Sequence, residues 1–292
     1  MDAVKALLIS MRPRQWSKNL FVLAGVIFSR SLFDLHLLLL SVFAFILFCL
    51  LSSSVYLFND VTDYKEDSGH PTKSKRPIAS GALSRAAALL FAGIFALVGL
   101  ALSFLISPRF GIAAASYVGL MFSYSVLLKR AMIVDVLAIS AGFVLRAAAG
   151  ALAIDVEISS WLLICTGLLA LFLGFSKRRH ELVVLEQQAS EHRSVLSGYS
   201  PRVLDQMIAV VTASTVMAYA LYTVSAETVA KFGTRLLGLT IPFVLYGIFR
   251  YLYLVHIKGE GGSPERSLLQ DKPFLIDIIL WVTVSGLILY LT

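Results

Sequence analysis

Cysteine, histidine and charge are scarce in this chain, and it has no long polar segment. Its 292 residues include two cysteines and five histidines, and only 15% are charged. Cys49 and Cys165 each lie inside an apolar stretch without metal-ligand spacing, which excludes a disulfide framework and makes both small core residues. His70 and His180 likewise lack the partner spacing of a zinc site or of a nucleophile and its base. No interval is polar for long enough to form a soluble domain. No small-residue cleavage site follows the mildly apolar first ten residues, so a removable signal peptide is not expected. The formal charge of +7 comes from Lys and Arg scattered among short polar intervals. With no basic tail and no RNA-binding motif, this charge does not point to nucleic acid. Phospholipid headgroups and phosphorylated small molecules account for it better.

What the chain does have is apolar length. Hydrophobic residues make up 58% and mean hydropathy is +0.82, the balance of a protein dissolved in a lipid bilayer. Stretches of about 20 apolar residues, enough for a helix to cross ~30 Å of hydrocarbon, recur from end to end. They predict an all-α integral membrane protein of nine transmembrane helices, forming one polytopic domain over 1–292. The expected spans are 20–33, 35–58, 84–106, 110–128, a fifth from 132 towards the acidic turn at 155–160, then 161–175, 203–224, 236–255 and 273–291. Residues 1–15 read as an interfacial helix leading to a basic turn, with Trp16 at headgroup depth. Ser84 is placed to cap the third span, and Ser107-Pro108 to stop it. Loops rich in Lys and Arg stay in the cytoplasm, and nine spans put about 20 of the 25 basic residues on one side and about 4 on the other. The amino terminus and the polar intervals 60–84 and 176–202 are therefore expected to be cytoplasmic.

The polar interval 59–84 reads NDVTDYKEDSGHPTKSKRPIASGALS. Asp60, Asp63 and Asp67 are three and four residues apart, so a continuous helix would point their carboxylates the same way, with Asn59 bordering that face. Such oxygen ligands suit Mg²⁺, which takes one or two carboxylates and fills its remaining positions with water and substrate phosphate. His70, Lys73, Lys75 and Arg76 follow a Gly-His-Pro break that turns the chain back. An acidic helix end facing a basic loop can hold a metal and several phosphates together. The plainer alternative is a solvated, positive-inside loop with incidental acids. Within the fifth span Asp135 and Arg146 share a face roughly 16 Å apart. Asp135 is placed to bind a hydroxylated substrate or to pair with Lys129, and Arg146 to meet a lipid phosphate or to tie down backbone carbonyls. At the second polar interval, Lys177 and Arg178 stand four and three residues before Glu181, a spacing that also allows simple local ion pairs.

An apolar helix ending in Asn59-Asp60-Val61-Thr62-Asp63, with a second polar helix end four helices later, resembles the UbiA-type superfamily of intramembrane prenyltransferases. The resemblance covers nearly the whole chain. Arg12-Pro13-Arg14-Gln15-Trp16-Ser17-Lys18-Asn19, the 59–81 stretch, Leu145 to Gly150, and Lys177-Arg178 followed by Glu181 are similar to its phosphoribosyl-transferring branch. That branch moves phosphoribose from phosphoribosyl pyrophosphate to a polyprenyl, decaprenyl-type phosphate. The resemblance implies a UbiA-like bundle in the cell (inner) membrane, with cap loops over a central cavity. It also implies Mg²⁺ held by Asn59, Asp60, Asp63 and Asp67, with Asp60 and Asp63 central. Lys73 and Arg76 fall to the substrate phosphates, and Lys177 and Arg178 to further phosphate, with Glu181 orienting a cation or reaching the metal through water. Lys75 reads as a solvated or headgroup-facing charge, and Arg179 and His180 as facing solvent or lipid. Arg14 and Lys18 close the site from the amino-terminal side or contact headgroups, and a homo-oligomer is left open.

In the aromatic branch of the superfamily, which serves quinone synthesis, the second motif is typically rich in aspartate. Here it carries Lys177, Arg178, Arg179 and His180, with Glu181 and Glu186 as the nearby acids. A donor and acceptor with three separate phosphate groups need that fixed positive charge. An aromatic prenyltransferase is the first alternative. A transporter is the second, but it would place charges near mid-membrane on several spans, and here only Arg146 is deep.

Overall fold

The computed structural model describes residues 3–157, 159–185, 198–262 and 270–291, and every regular element among them is a helix. The chain divides into two compact units, Met1–Ser159 and Ser160–Thr292.

The first unit contains α1 (Ala3–Ser10), a 3-10 segment Pro13–Leu23, α2 (Ala24–Phe28), α3 (Leu35–Thr62), α4 (Tyr64–Ser68), α5 (Arg85–Ile106), α6 (Pro108–Val126) and α7 (Val134–Ala153). The second contains α8 (Ser160–Leu185), α9 (Pro201–Val224), α10 (Ala226–Phe232), α11 (Ile241–His256) and α12 (Lys272–Leu291). Short polar side chains start these helices by accepting backbone N–H bonds: Asp34 for α3, Ser84 for α5, Ser107 for α6 and Ser200 for α9. Ser84 and Ser107-Pro108 thus do what their sequence context predicted.

Among the described residues, seven helical stretches are long and apolar enough to cross a membrane: α3, α5, α7, Ser160–Val183 of α8, α9, Leu236–His256 and α12. The segment expected as the fourth span is helical as α6, but Arg109 and its Ser, Gly and Tyr residues keep it below that apolarity. The expected first span at 20–33 is not one helix. The polar run Gln15 to Asn19 winds as a 3-10 segment, and α2 stops at Ser29. Arg30 then turns left-handed (φ 61°), and the Ser31 N–H reaches back to the Val26 carbonyl at 3.1 Å. The sixth helix is longer than expected, because α8 runs unbroken through the motif Ser176–Glu181. Residues 186–197 of the expected cap at 176–202, including Glu186, lie outside the described residues.

Lipid offers no hydrophobic drive between helices, so small residues and close contact hold the first unit together. Phe48 of α3 is fully buried between Phe110 and Tyr117 of α6, at ring separations of 6.0 and 5.3 Å. The 3-10 segment lies on α7 backbone to backbone. A Cβ added to Gly150 would sit 1.8 Å from the Val22 carbonyl oxygen, so only glycine fits. A hydroxyl seam joins the same segment to α3, where Trp16 Nε1 donates to Ser53 Oγ at 3.1 Å and Asn19 Nδ2 to Ser52 Oγ at 3.1 Å. Leu57, Ile78, Leu83, Ala88 and Ala6 form a second core, which supports the loop after α4 and seats α1 beside the end of α3.

Candidate active site

The last turn of α3 delivers Asn59 and Asp60, Asp63 caps it, and α4 carries Asp67. The loop then returns through a short 3-10 turn, Lys73–Lys75. Arg76 precedes Pro77, which disfavours helical backbone, and Arg76 is extended (φ −63°, ψ 144°). From there its guanidinium donates to Asp60 Oδ1 at 3.2 Å and Asp67 Oδ2 at 2.5 Å. Lys73 Nζ is 3.9 Å from Asp67 Oδ1. His70 Nδ1 accepts the Thr72 N–H at 3.2 Å, so the imidazole shapes the turn.

Two further cations arrive from elsewhere in the chain. Arg12 is left-handed (φ 54°, ψ 61°), with the Met11 carbonyl before it held by Ser53 Oγ at 3.3 Å. Its side chain lies over the Tyr56 ring at 5.1 Å and bonds to Asp60. Lys129, in the 3-10 turn Leu128–Arg130 after α6, bonds to Asp63, which also accepts from Asn59 Nδ2 at 3.0 Å. The three carboxylates are thus met by four cations, Arg12, Lys73, Arg76 and Lys129, an excess of one positive charge. Asp60 and Asp67 are 3% and 2% exposed. A carboxylate this deeply buried is kept charged only by such partners.

This arrangement alters the expected one. The three carboxylates do not gather on one face: Asp60 and Asp67 share Arg76, while Asp63 turns to Lys129. The helix ends at Thr62, and like charges spread towards separate counter-ions. Among the described residues, no group of three or more His, Cys, Asp or Glu is assembled to hold a metal. The donor set still fits Mg²⁺, because every candidate ligand is an oxygen and this ion commonly takes only one or two carboxylates, with phosphate and water filling the rest.

Lys129 pairs with Asp63, while Asp135 is fully buried at the start of α7. The turn between them is tight. Ile133 sits at φ 70°, ψ −47°, and the Val134 N–H donates to the Met132 carbonyl at 2.8 Å, a γ-turn that is strained for a β-branched residue. Arg146 is buried and satisfied within the protein. It donates to Asn19 Oδ1 at 2.8 Å, the Gly142 carbonyl at 3.0 Å and Tyr117 Oη at 2.7 Å, and it stacks on Tyr117. Arg14 is exposed, Lys18 half-buried, and Lys75 exposed as expected.

In the second unit, Arg178 is 2% exposed and donates to Glu181 at 2.7 Å, with Lys177 at 3.9 Å from the same carboxylate. Arg179, expected in solvent or lipid, is instead half-buried and paired with Asp205 at 2.5 Å, and His256 reaches the same oxygen at 3.1 Å. Arg250 grips Asp271 with two hydrogen bonds, at 3.0 and 2.8 Å. Those bonds hold the Asp271 carboxyl below the usual carboxylate range, against the opposing effect of burial. Sequence reasoning missed Arg12 and Lys129 as partners of the acidic motif. Arg12 lies in the quoted 12–19 motif and Lys129 in the short basic pair after α6, but pairings 48 and 66 residues apart leave no local pattern.

Fold and site define a polytopic helical membrane protein with its charged chemistry at a helix end. The model of the UbiA prenyltransferase family matches residues 19–267. Decaprenyl-phosphate phosphoribosyltransferase of Mycolicibacterium smegmatis is 32% identical over 99% of this chain and 94% of its own length. The enzyme of the same name from Corynebacterium glutamicum is 31% identical over 97% and 86%. Among solved structures, a UbiA homologue from Archaeoglobus fulgidus bound to GPP and Mg²⁺ superposes with a TM-score of 0.73 at 20% identity, covering 98% of this chain and 100% of that one. The chain therefore belongs to the UbiA prenyltransferase family, and it is a transferase.

Proposed function

We propose that this protein transfers 5-phosphoribose from 5-phosphoribosyl 1-pyrophosphate to a polyprenyl phosphate of decaprenyl type, with Mg²⁺ as cofactor and pyrophosphate as the second product. The observation that carries this reading is the excess of fixed cations around the acidic motif, where Arg12, Lys73, Arg76 and Lys129 surround three carboxylates. A donor with a diphosphate and a separate 5-phosphate needs more positive charge than a simple prenyl diphosphate. The names of the near-full-length relatives support the same reaction.

Asn59, Asp60, Asp63 and Asp67 supply the oxygens that would hold Mg²⁺, which when bound neutralises the leaving pyrophosphate. Arg76 and Lys73 bind donor phosphate oxygens, the guanidinium with two parallel hydrogen bonds and the ammonium as a point charge. Asp67 holds both cations in place. A new bond forms between a phosphate oxygen of the lipid and ribose C1 as the bond from C1 to pyrophosphate breaks. The acceptor oxygen is already anionic, so no strong general base is required, and the chain lowers the barrier by positioning and charge neutralisation. Asp135, fully buried at the start of α7, is assigned to the ribose hydroxyls on sequence grounds alone. Lys177 and Arg178, with Glu181 orienting them, are assigned to phosphate on sequence grounds, as are Arg14 and Lys18. The same reading has nine crossings of the cell (inner) membrane, within one functional domain, and the acidic motif on the cytoplasmic side.

A second reading, prenyl transfer to an aromatic ring, draws on the family's description and on the GPP-bound neighbour. Incubating purified protein with Mg²⁺, ribose-labelled phosphoribosyl pyrophosphate and polyprenyl phosphate separates the two. Label entering the lipid phase supports the first reading, and an unlabelled lipid phase rejects it.

A further inference from the structure

The carboxylates of the acidic motif are all occupied by cations. Asp60 carries Arg12 and Arg76, Asp63 carries Lys129, and Asp67 carries Arg76 and Lys73. We propose that Arg12 and Lys129 are exchange cations: they keep Asp60 and Asp63 closed to a bare divalent ion and release them only to a metal accompanied by a diphosphate, to which the two cations then transfer. The proposal rests on the functional reading only in treating the α3 end as the place where a diphosphate binds.

Three observations support it. The first is charge. With four cations on three carboxylates, a divalent ion arriving alone meets net repulsion in a half-dry site, and like charges a few ångströms apart there interact strongly. A diphosphate reverses the balance, because it gives the displaced cations new partners. The second is reach. Arg12 and Lys129 enter from outside the loop, on long side chains whose heads can swing from a carboxylate to a phosphate while the stems stay in place. Arg12 is 26% exposed, so its guanidinium is open to a ligand. The third is anchoring. The left-handed turn at Arg12, the Ser53 bond to the preceding carbonyl and the Tyr56 ring fix where the guanidinium starts. The strained γ-turn at Ile133 stands four residues beyond Lys129. Backbone strain of this kind persists where the surroundings hold it in place, and such positions concentrate at ligand clamps.

Metal and diphosphate then behave as coupled ligands, and each tightens the other by the same factor. The test uses full-length protein in detergent, with Mn²⁺ alone read by electron paramagnetic resonance and labelled pyrophosphate retention measured with and without Mn²⁺. The parent protein should bind bare Mn²⁺ weakly and retain pyrophosphate at least about fivefold more tightly when Mn²⁺ is present. Arg12→Gln and Lys129→Gln should each bind bare Mn²⁺ more tightly than the parent while holding pyrophosphate less well. Arg12→Lys should keep the coupling. A merely structural role predicts that both affinities fall together in the glutamine variants, and that result overturns the proposal. So does a parent that binds bare Mn²⁺ as tightly as it binds Mn²⁺ with pyrophosphate, and this contrast decides the matter even if a variant does not fold. Pyrophosphate is common to phosphoribosyl and prenyl donors. Intact coupling without phosphoribosyl transfer therefore removes only the donor assignment, and transfer without coupling removes only the exchange.

Discussion

The charged end of α3 and the charged end of α8 contain similar residues but pair them differently. Around α3, the partners of the carboxylates stand 48, 16, 9 and 66 residues away and come from the amino-terminal turn, the return loop and the turn after α6. On α8, Lys177 and Arg178 reach Glu181 from four and three residues before it on the same helix, while Arg179 pairs with Asp205, 26 residues away. Pairs of the second kind follow from helix spacing and contribute about 0.2–0.5 kcal/mol each on an exposed surface, although Arg178 itself is buried. Pairs of the first kind exist only because the fold brings them together, and burying them carries a desolvation cost that apolar packing would avoid. Each carboxylate at the α3 end is met by cations from outside its own helix, so substitution is expected to cost most there.

The sharpest break of this contrast is Asp60→Asn beside Lys177→Gln. Transfer activity should fall about 10²–10³-fold or more in Asp60→Asn, and likewise in Asp63→Asn, with the helical circular dichroism unchanged. Lys177→Gln should mainly raise the donor KM, by about tenfold. Equal losses in the two variants would remove the distinction between the helix ends. Arg76→Ala strips one partner from both Asp60 and Asp67 but leaves them Arg12 and Lys73, so it should lower stability by about 1–3 kcal/mol as well as weaken donor binding, seen as a lower Tm.

Gly150→Ala sets the packing against the charge. Its Cβ would overlap the Val22 carbonyl, so about 1–3 kcal/mol of stability should be lost, and the Tm should recover on reversion. The smallest effect is expected in the second unit, at Asp271. Its folded pKa is lowered, so its contribution is fully present above the ordinary carboxylate range and is lost only as pH falls through the folded value. The Tm difference between the parent and Asp271→Asn should therefore be constant from about pH 7 to 5 and shrink below about pH 4. A difference that disappears between pH 7 and 5 would contradict the pairing with Arg250.

Much of this was legible in the sequence because it is local. Apolar runs, the Ser84 cap and the Ser107-Pro108 stop all act within a few residues. Three features were not. The polar seam of Trp16, Asn19 and Ser53 binds the amino-terminal segment to α3 as a 3-10 segment that runs on to Leu23, into the start of the span expected at 20–33. The divergence of Asp63 from Asp60 and Asp67 depends on Lys129, 66 residues on. The depth of Arg146 was readable, whereas its ties to Asn19 and Tyr117 depend on how three elements pack.

The most direct measurement offers the purified protein both donors at once. Phosphoribosyl pyrophosphate and geranyl diphosphate are supplied in equal amount with Mg²⁺, polyprenyl phosphate and a hydroxybenzoic acid, and the lipid products are weighed by mass spectrometry. Phosphoribosylated polyprenyl phosphate with no prenylated ring, absent from the Asp60→Asn protein, is the expected result. A prenylated ring as the product, with phosphoribosyl pyrophosphate untouched, would contradict it.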